Sequence, residues 1–152
     1  IVRHLQRAAQ RASEEDMLLL LENEPSCNGG FASEVGYFVQ QVNEPSLLVL
    51  WDPGNEAYGG RVAYPDGYES VKGHIGHVHI KDAIVENGKP QCVPVGSGSV
   101  PYLEHISRLE KEGYNGLYTI ETHYIPPGGT KRDGTTQTLL GLKSMLSTGG
   151  SQ

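Results

Sequence analysis

Short, continuous apolar runs alternate along the chain with longer segments that are apolar on one side only. The short runs predict β-strands over 17–21, 47–51, 75–80 and 117–120. The one-sided segments predict helices over 2–12, 31–42, 99–113 and 135–146. Runs that are apolar on both faces are typical of parallel strands covered by helices. The alternating order therefore predicts an α/β fold in which parallel strands are joined by right-handed crossovers.

The segments between these elements carry turn and loop signals. We expect a loop at 53–55, a partly helical connection at 68–73, a short extended excursion at 89–95 and a flexible tail at 147–152.

Length and composition narrow the fold and the partners. The 152 residues, 37% hydrophobic and 20% charged, fit one globular domain over 1–152. A net charge of −6 argues against a nucleic-acid partner, since neutralising phosphates takes clustered Lys and Arg. The longest apolar run, 17–21, is far shorter than the ~20 residues of a bilayer span, so we expect no membrane partner. With no basic region leading into an apolar N-terminal stretch and only two cysteines, we expect a cytoplasmic protein.

Each predicted strand ends in a residue that can bind a cation. These strand-end residues are Glu22, Asp52, His79 and Glu121. Because the C-terminal ends of parallel strands meet at one edge of the sheet, we expect the four side chains to converge there.

Side chains alternate between the two faces of a strand, so residues two apart share a face. We therefore expect the four strand-end residues to lie on one face of the sheet. This alternation places Leu18 and Leu20 below Glu22, Leu48 and Leu50 below Asp52, Ile75 and His77 below His79, and Leu117 and Thr119 below Glu121. Three carboxylates and an imidazole suit one divalent metal ion, of which Mn, Mg, Co and Zn are candidates. The alternative is that each acid caps the following helix or faces solvent.

The third strand carries two imidazoles on one face, and a lysine continues that face at the rim. His79 lies nearer the strand's C-terminal end and is the favoured ligand. His77 then becomes an inner neighbour that orients the site or contacts the substrate. Lys81 is a candidate to hold a substrate hydroxyl or phosphate, with a solvated lysine as the alternative.

Three further features lie outside this set of strand-end residues. The segment 96–99 is expected to form a turn, and because it precedes a helix its amides are a secondary candidate for binding a phosphate. His123 and Tyr124 extend beyond Glu121 and are candidate rim contacts for a substrate. His105 is expected on a solvated helix surface.

Several motifs together carry a resemblance to a known family. They are LLENEP at 20–25, LWDPGN at 50–55, YPDGYE at 64–69, HVHIKDA at 77–83, GYNG at 113–116 and TIETHY at 119–124. With these motifs the chain resembles the C-terminal half of the sugar phosphate isomerase/epimerase family, the xylose-isomerase-like TIM barrels. The resemblance covers nearly the whole chain. It implies half of a (β/α)8 TIM barrel, namely strands five to eight with their helices.

The resemblance also implies a chemistry. In that family a divalent metal is held by Glu, Asp, His and Glu, which match Glu22, Asp52, His79 and Glu121 here. Relatives act on ketoses, sugar phosphates or inositol derivatives by moving a proton next to a carbonyl through an enediolate. Glu22 and Glu121 match the base and the acid of the epimerase branch.

Two local departures bear on the substrate. Asn55 stands where some relatives carry a substrate-facing histidine, and an amide can hydrogen-bond a hydroxyl but cannot carry a proton near neutral pH. Where the family often has Gly-Glu-Gly and a following Asp, this chain has Gly96-Ser97-Gly98 and Pro101.

A half-barrel leaves two sheet edges and an apolar face that need covering. A complete barrel takes about 250 residues, so one copy of this chain cannot close it alone. A homodimer or a missing N-terminal half would supply the cover.

The function expected is a metal-dependent isomerase or epimerase acting on a small sugar or sugar phosphate. The alternatives are an inactive half-barrel that dimerises and binds metal, and a dehydratase of the inosose type.

Overall fold

The computed structural model describes residues 1–149 and contains one parallel sheet backed by helices. The six strands are β1 (Leu19–Glu22), β2 (Leu47–Trp51), β3 (Ile75–Ile80), β4 (Asp82–Glu86), β5 (Lys89–Val93) and β6 (Tyr118–Ile120). The six helices are α1 (Val2–Glu14), α2 (Ala32–Val42), α3 (Pro53–Tyr58), α4 (Tyr68–Val71), α5 (Tyr102–Lys111) and α6 (Lys131–Gly149). A π-helical turn at Ala63–Gly67 precedes α4.

Four of the strands pair in parallel in the order β1-β2-β3-β6, which confirms the predicted α/β fold with a parallel sheet. The strands β4 and β5 form a separate antiparallel hairpin, of which β5 lies within the excursion expected at 89–95, whereas β4 was not predicted. Among the described helices, none combines the length and apolar character needed to cross a bilayer.

The two faces of the sheet are covered unequally. On β2, Leu47, Val49 and Trp51 are buried under the helices, whereas Leu48 and Leu50 on the other face are only half-buried. The predicted first strand begins two residues late, at Leu19, because Met17 and Leu18 are 65% and 50% exposed and lie outside the ladder. The main core therefore lies between the sheet and the helices.

A bulge changes which residues of β3 share a face. The register runs from the pair Val49–Ile75 directly to Leu50–His77, so Gly76 is the extra residue. A side chain at Gly76 would lie within 3 Å of Leu48. Ile75 consequently packs against the helix-covered core, and its predicted place below His79 is wrong.

The helix α3 replaces the loop expected at 53–55. Asp52 caps it, because Oδ1 accepts the N–H of Asn55 at 2.9 Å, and Pro53 stands at the first helical position. Gly54 allows the helix to approach the main chain between β3 and β4 closely, since a Cβ there would lie 2.1 Å from the carbonyl oxygen of Lys81. Two predicted helix ends also differ from the structure. The helix α5 is shorter than the predicted 99–113, and α6 continues through 147–149, where a flexible tail was expected. The rest of that predicted tail, 150–152, lies outside the described residues.

His105 is fully buried, which corrects its expected place on a solvated surface. Its Nε2 accepts the indole N–H of Trp51 at 2.9 Å, and its ring packs against Tyr64 and Tyr68. Burial lowers the pKa of His105 to about 4. The imidazole is a neutral core side chain because the helix face that carries it turns toward the sheet.

Candidate metal centre

Four side chains from the four parallel strands meet at the C-terminal edge of the sheet. Each of Glu22, Asp52, His79 and Glu121 offers one ligand-type atom, and these atoms all lie within 4.8 Å of one another. Glu22 ends β1, His79 lies in β3, and the other two directly follow β2 and β6. The N–H of Glu121 still donates to the carbonyl of Ile80 at 3.1 Å, so the ladder itself positions this residue.

The imidazole of His79 lies between the carboxylates. Its Nδ1 is 3.1 Å from Oε1 of Glu22, and 3.8 Å from both Oδ2 of Asp52 and Oε2 of Glu121. The hydrogen bond with Glu22 raises the pKa of His79, although burial acts in the opposite direction. The protonated ring would balance part of the negative charge, and the neutral ring would present Nδ1 as a ligand.

Asp52 supplies the most buried oxygen of the group. Oδ1 accepts the N–H of Asn55, whereas Oδ2 meets no hydrogen bond of normal geometry among the described residues and has the Lys81 ammonium as its nearest positive charge, with Nζ 3.0 Å away. Burial raises the pKa of Asp52 to about 6, despite the nearby Lys81 ammonium. A buried carboxylate oxygen that faces a positive charge, together with two further carboxylates and an imidazole within 4.8 Å, is a donor set suited to a cation, so the residues present fit a divalent ion.

Lys81 turns inward against two of the carboxylates instead of extending into solvent. Its Nζ lies 3.0 Å from Oδ2 of Asp52 and contacts Oε2 of Glu121. Burial alone would lower the pKa of Lys81, but the two carboxylates raise it above its usual range. Burial alone would likewise raise the pKa of Glu121, but the hydrogen bond from Lys81 lowers it.

Two side chains that the sequence analysis did not single out hold the main chain of this centre. Asn23 Oδ1 accepts the N–H of Asp52, and its Nδ2 donates to the carbonyl of the same residue, both at 2.9 Å. The Tyr102 hydroxyl accepts the N–H of Lys81 at 2.9 Å and donates to its carbonyl at 2.6 Å. The position of Asn23 directly after Glu22 was an available signal, whereas nothing local marks Tyr102.

The remaining candidate residues are distributed around the centre. Asn55 is buried and donates from Nδ2 to the carbonyl of Asn23 at 2.9 Å. His77 lies below His79 and has Thr119 Oγ1 at 2.8 Å from its Nε2. His123 is half-exposed, with Nε2 3.5 Å from Oε1 of Glu121.

An open cavity of about 780 Å³ adjoins the centre. Its lining includes Glu24, Asn55, Lys81, Gln91, His123 and Tyr124. Within the described chain, neither His77 nor any of the four ligand candidates is part of this lining, and the cavity reaches the centre through Lys81 and His123, which lie beside Glu121. The cavity offers hydroxyl, amide, carboxylate and imidazole groups beside the carboxylate cluster, a mixture suited to a small polar ligand.

The amides expected to bind a phosphate at 96–99 are already occupied by a side chain of the protein. The Asp82 carboxylate accepts the N–H groups of Gly96, Gly98 and Val100 at 3.0 to 3.1 Å, and that of Ala83 at 3.0 Å. The expected turn is present at this segment. An internal anion fills its amides, so the secondary phosphate candidate there is wrong.

Solved structures with the same fold are about twice as long as this chain. A xylose isomerase domain protein from Planctomyces limnophilus matches with 26% identity and a TM-score of 0.72, over 94% of this chain and 50% of that one. A xylose isomerase-like TIM barrel protein from Mycobacterium smegmatis, in complex with magnesium, matches with 20% identity and a TM-score of 0.73, over 94% and 49%. The chain thus spans about half the length of the structures it resembles.

Enzymes with stated activities also share the fold. A probable 3-DHS dehydratase from Bacillus anthracis matches with 17% identity and a TM-score of 0.69, over 91% of this chain and 54% of that one. D-psicose 3-epimerases and a 3-keto-D-glucoside 4-epimerase are further matches. A sequence search among curated proteins finds no match.

The family model described as xylose isomerase-like TIM barrel matches residues 1–145. Together with the parallel sheet and the cluster at its C-terminal edge, this match shows that the chain belongs to the xylose isomerase-like TIM barrel family.

Proposed function

We propose that this chain is the C-terminal half of a divalent-metal-dependent isomerase or epimerase that acts on a sugar or sugar phosphate. The observation that carries the proposal is the convergence of Glu22, Asp52, His79 and Glu121 within 4.8 Å in a member of this family. A divalent ion bound there would act as a Lewis acid that polarises the substrate carbonyl.

Exposure separates the four ligands into two pairs. The side chains of Glu22 and Glu121 are 30% and 34% exposed, whereas those of Asp52 and His79 are 0% and 17% exposed. The two glutamates also come from the two outer strands of the sheet, β1 and β6. They are therefore the pair that can flank a substrate, and the less exposed pair, Asp52 and His79, can serve as anchors.

In the proposed reaction, one glutamate carboxylate removes the proton from the carbon next to the substrate carbonyl. The electron pair of the broken C–H bond forms the enediolate, and the protonated opposite glutamate returns a proton to that carbon or to its neighbour. Glu22 and Glu121 take these base and acid roles. Asn55, Lys81 and His123, which line the cavity, are proposed to hold substrate hydroxyls, and His77 to orient His79 from below.

A closed pocket needs cover for the open side of the sheet. Within residues 1–149, the strands β1 and β6 each have one unpaired edge, and about half of the length of the related structures has no counterpart in this chain. We propose that these four strands are the fifth to eighth of a barrel. Either an N-terminal half or a second copy of this chain would complete it.

Two alternatives are favoured by particular observations. The half-covered inner face favours a half-barrel that dimerises and binds metal without turning over a substrate. The match to a probable 3-DHS dehydratase favours a dehydratase on the same fold, in which removal of a proton next to a carbonyl is followed by loss of water.

The deciding experiment is solvent exchange at the carbon next to the carbonyl. The protein, in the presence of Mn²⁺, is incubated in D₂O with a panel of free and phosphorylated ketoses, and deuterium uptake is followed by mass spectrometry. We expect uptake with at least one ketose, and a loss of about 10²-fold or more in Glu22→Gln and in Glu121→Gln. Glu104→Gln, on the exposed face of α5, is the matched control and should retain exchange.

The outcomes separate the candidates. Exchange that survives in the double variant Glu22→Gln/Glu121→Gln would rule out the proposed acid–base pair. Metal binding without exchange in any ketose would favour the binding-only half-barrel, and loss of water from the substrate would favour the dehydratase.

A further inference from the structure

The ammonium group of Lys81 contacts the same carboxylate oxygens that face the middle of the metal centre. Oδ2 of Asp52 and Oε2 of Glu121 each lie 3.8 Å from Nδ1 of His79. Lys81 Nζ lies 3.0 Å from the first of these oxygens and contacts the second. The lysine and an incoming cation would therefore contact the same two oxygen atoms.

The position of this ammonium is built into the fold. Lys81 is almost completely buried, and the Tyr102 hydroxyl pairs with both the N–H and the carbonyl of its peptide. The close approach of α3 at Gly54 restricts the same carbonyl. A flexible surface lysine would have many rotamers, but here the main chain and the surrounding packing direct the side chain toward the centre.

Three carboxylates within 4.8 Å of one another repel strongly when their surroundings exclude water. A nearby positive charge reduces that repulsion before any ion binds. The same positive charge repels a divalent cation that enters the centre.

We propose that Lys81 is a built-in counter-cation of this centre, which stabilises the ligand set in the absence of metal and lowers its affinity for a divalent ion. This inference rests on the metal site of the proposed function. It assigns Lys81 a positioning role toward the metal ligands, in addition to any contact with a substrate.

The test compares Lys81→Met with the wild-type chain by titration calorimetry with Mn²⁺ and by thermal unfolding with and without Mn²⁺. Removing the charge should tighten Mn²⁺ binding by about tenfold or more, because one unit of like charge is lost within a few ångströms of the ion. The metal-free variant should melt at a lower temperature than wild type, and its melting temperature should rise more on adding Mn²⁺. Lys72→Met, which removes an exposed lysine paired with Glu69, is the matched control and should leave the affinity for Mn²⁺ unchanged.

Lys81→Gln repeats the measurement with a polar side chain. If either variant is unfolded without metal but folds when Mn²⁺ is added, the inference is supported, since the ion then replaces the missing charge. Unchanged or weaker Mn²⁺ binding in both variants, or variants that stay unfolded at every Mn²⁺ concentration, would overturn it. A wild-type chain that binds no Mn²⁺ would instead overturn the metal site of the proposed function.

Discussion

At the scale of single residues, burial decides the chemistry of an ionisable side chain more than its place in the sequence does. His105 stands in an amphipathic helix among charged residues, yet it is fully buried against Trp51 and two tyrosines. The indole N–H of Trp51 donates to its Nε2, and burial lowers its pKa to about 4. The ring is therefore neutral throughout the neutral pH range.

This lowered pKa predicts a specific loss of stability in acid. Above pH 6.5, His105 is neutral in both the folded and the unfolded chain and contributes no pH dependence. Between pH 6.5 and 4 the unfolded chain binds a proton that the folded chain does not, so the free energy of unfolding falls by up to about 3 kcal/mol. Urea denaturation at several pH values should show a smaller fall for His105→Gln than for wild type. Parallel curves for the two proteins would contradict the prediction.

At the scale of elements, the hairpin and the loop before α5 are joined through one carboxylate. Asp82 begins β4, and four N–H groups from residues 83–100 donate to it. Burial raises the pKa of Asp82, although the four amide donors act in the opposite direction. The loop closes tightly around this group, because a Cβ at Gly98 would lie 2.1 Å from Oδ1. The carboxylate thus organises the wall beside the cavity.

The tight approach predicts that Gly98→Ala is strongly destabilising. The added methyl group must displace the Asp82 carboxylate and break some of its hydrogen bonds, which we expect to cost about 2 kcal/mol or more. Ser97→Ala, at the exposed neighbouring position, is the control and should change the free energy of unfolding by less than about 0.5 kcal/mol. Chemical denaturation measures both changes. Equal stabilities of the two variants would show that the loop can move away from Asp82.

At the scale of the whole molecule, helices cover one face of the parallel sheet and leave the other face only half-buried. Helices bury Val49 and Trp51, but the face that carries Leu48 and Leu50 is half-buried. Beyond the strand starts, Leu18 and Leu117 are 50% and 73% exposed. An apolar sheet face with two open edges associates readily with another sheet or with its own copy.

We therefore predict that the purified chain forms particles of at least two copies at micromolar concentration. The double variant Leu18→Lys/Leu117→Lys should shift the mass measured by analytical ultracentrifugation toward the monomer of 16.5 kDa, since charges oppose burial of this face. Leu140→Lys, which alters an equally exposed leucine on α6, should leave the mass unchanged. A stable wild-type monomer that binds metal would contradict the need for cover.

The parallel arrangement of the strands and the convergence of Glu22, Asp52, His79 and Glu121 at their C-terminal ends were determined by the sequence, because side-chain alternation and the repeated strand–helix unit can be read from the chain itself. Only the tertiary structure decided which contacts the side chains make with distant segments of the chain. It placed Lys81 inward against two carboxylates, filled the amides at 96–99 with Asp82, and buried His105. The bulge at Gly76, which moves Ile75 to the other face, likewise depends on the neighbouring strand. Periodicity states which face a residue occupies within its own element, whereas burial, pairing and charge balance depend on residues far away in the chain.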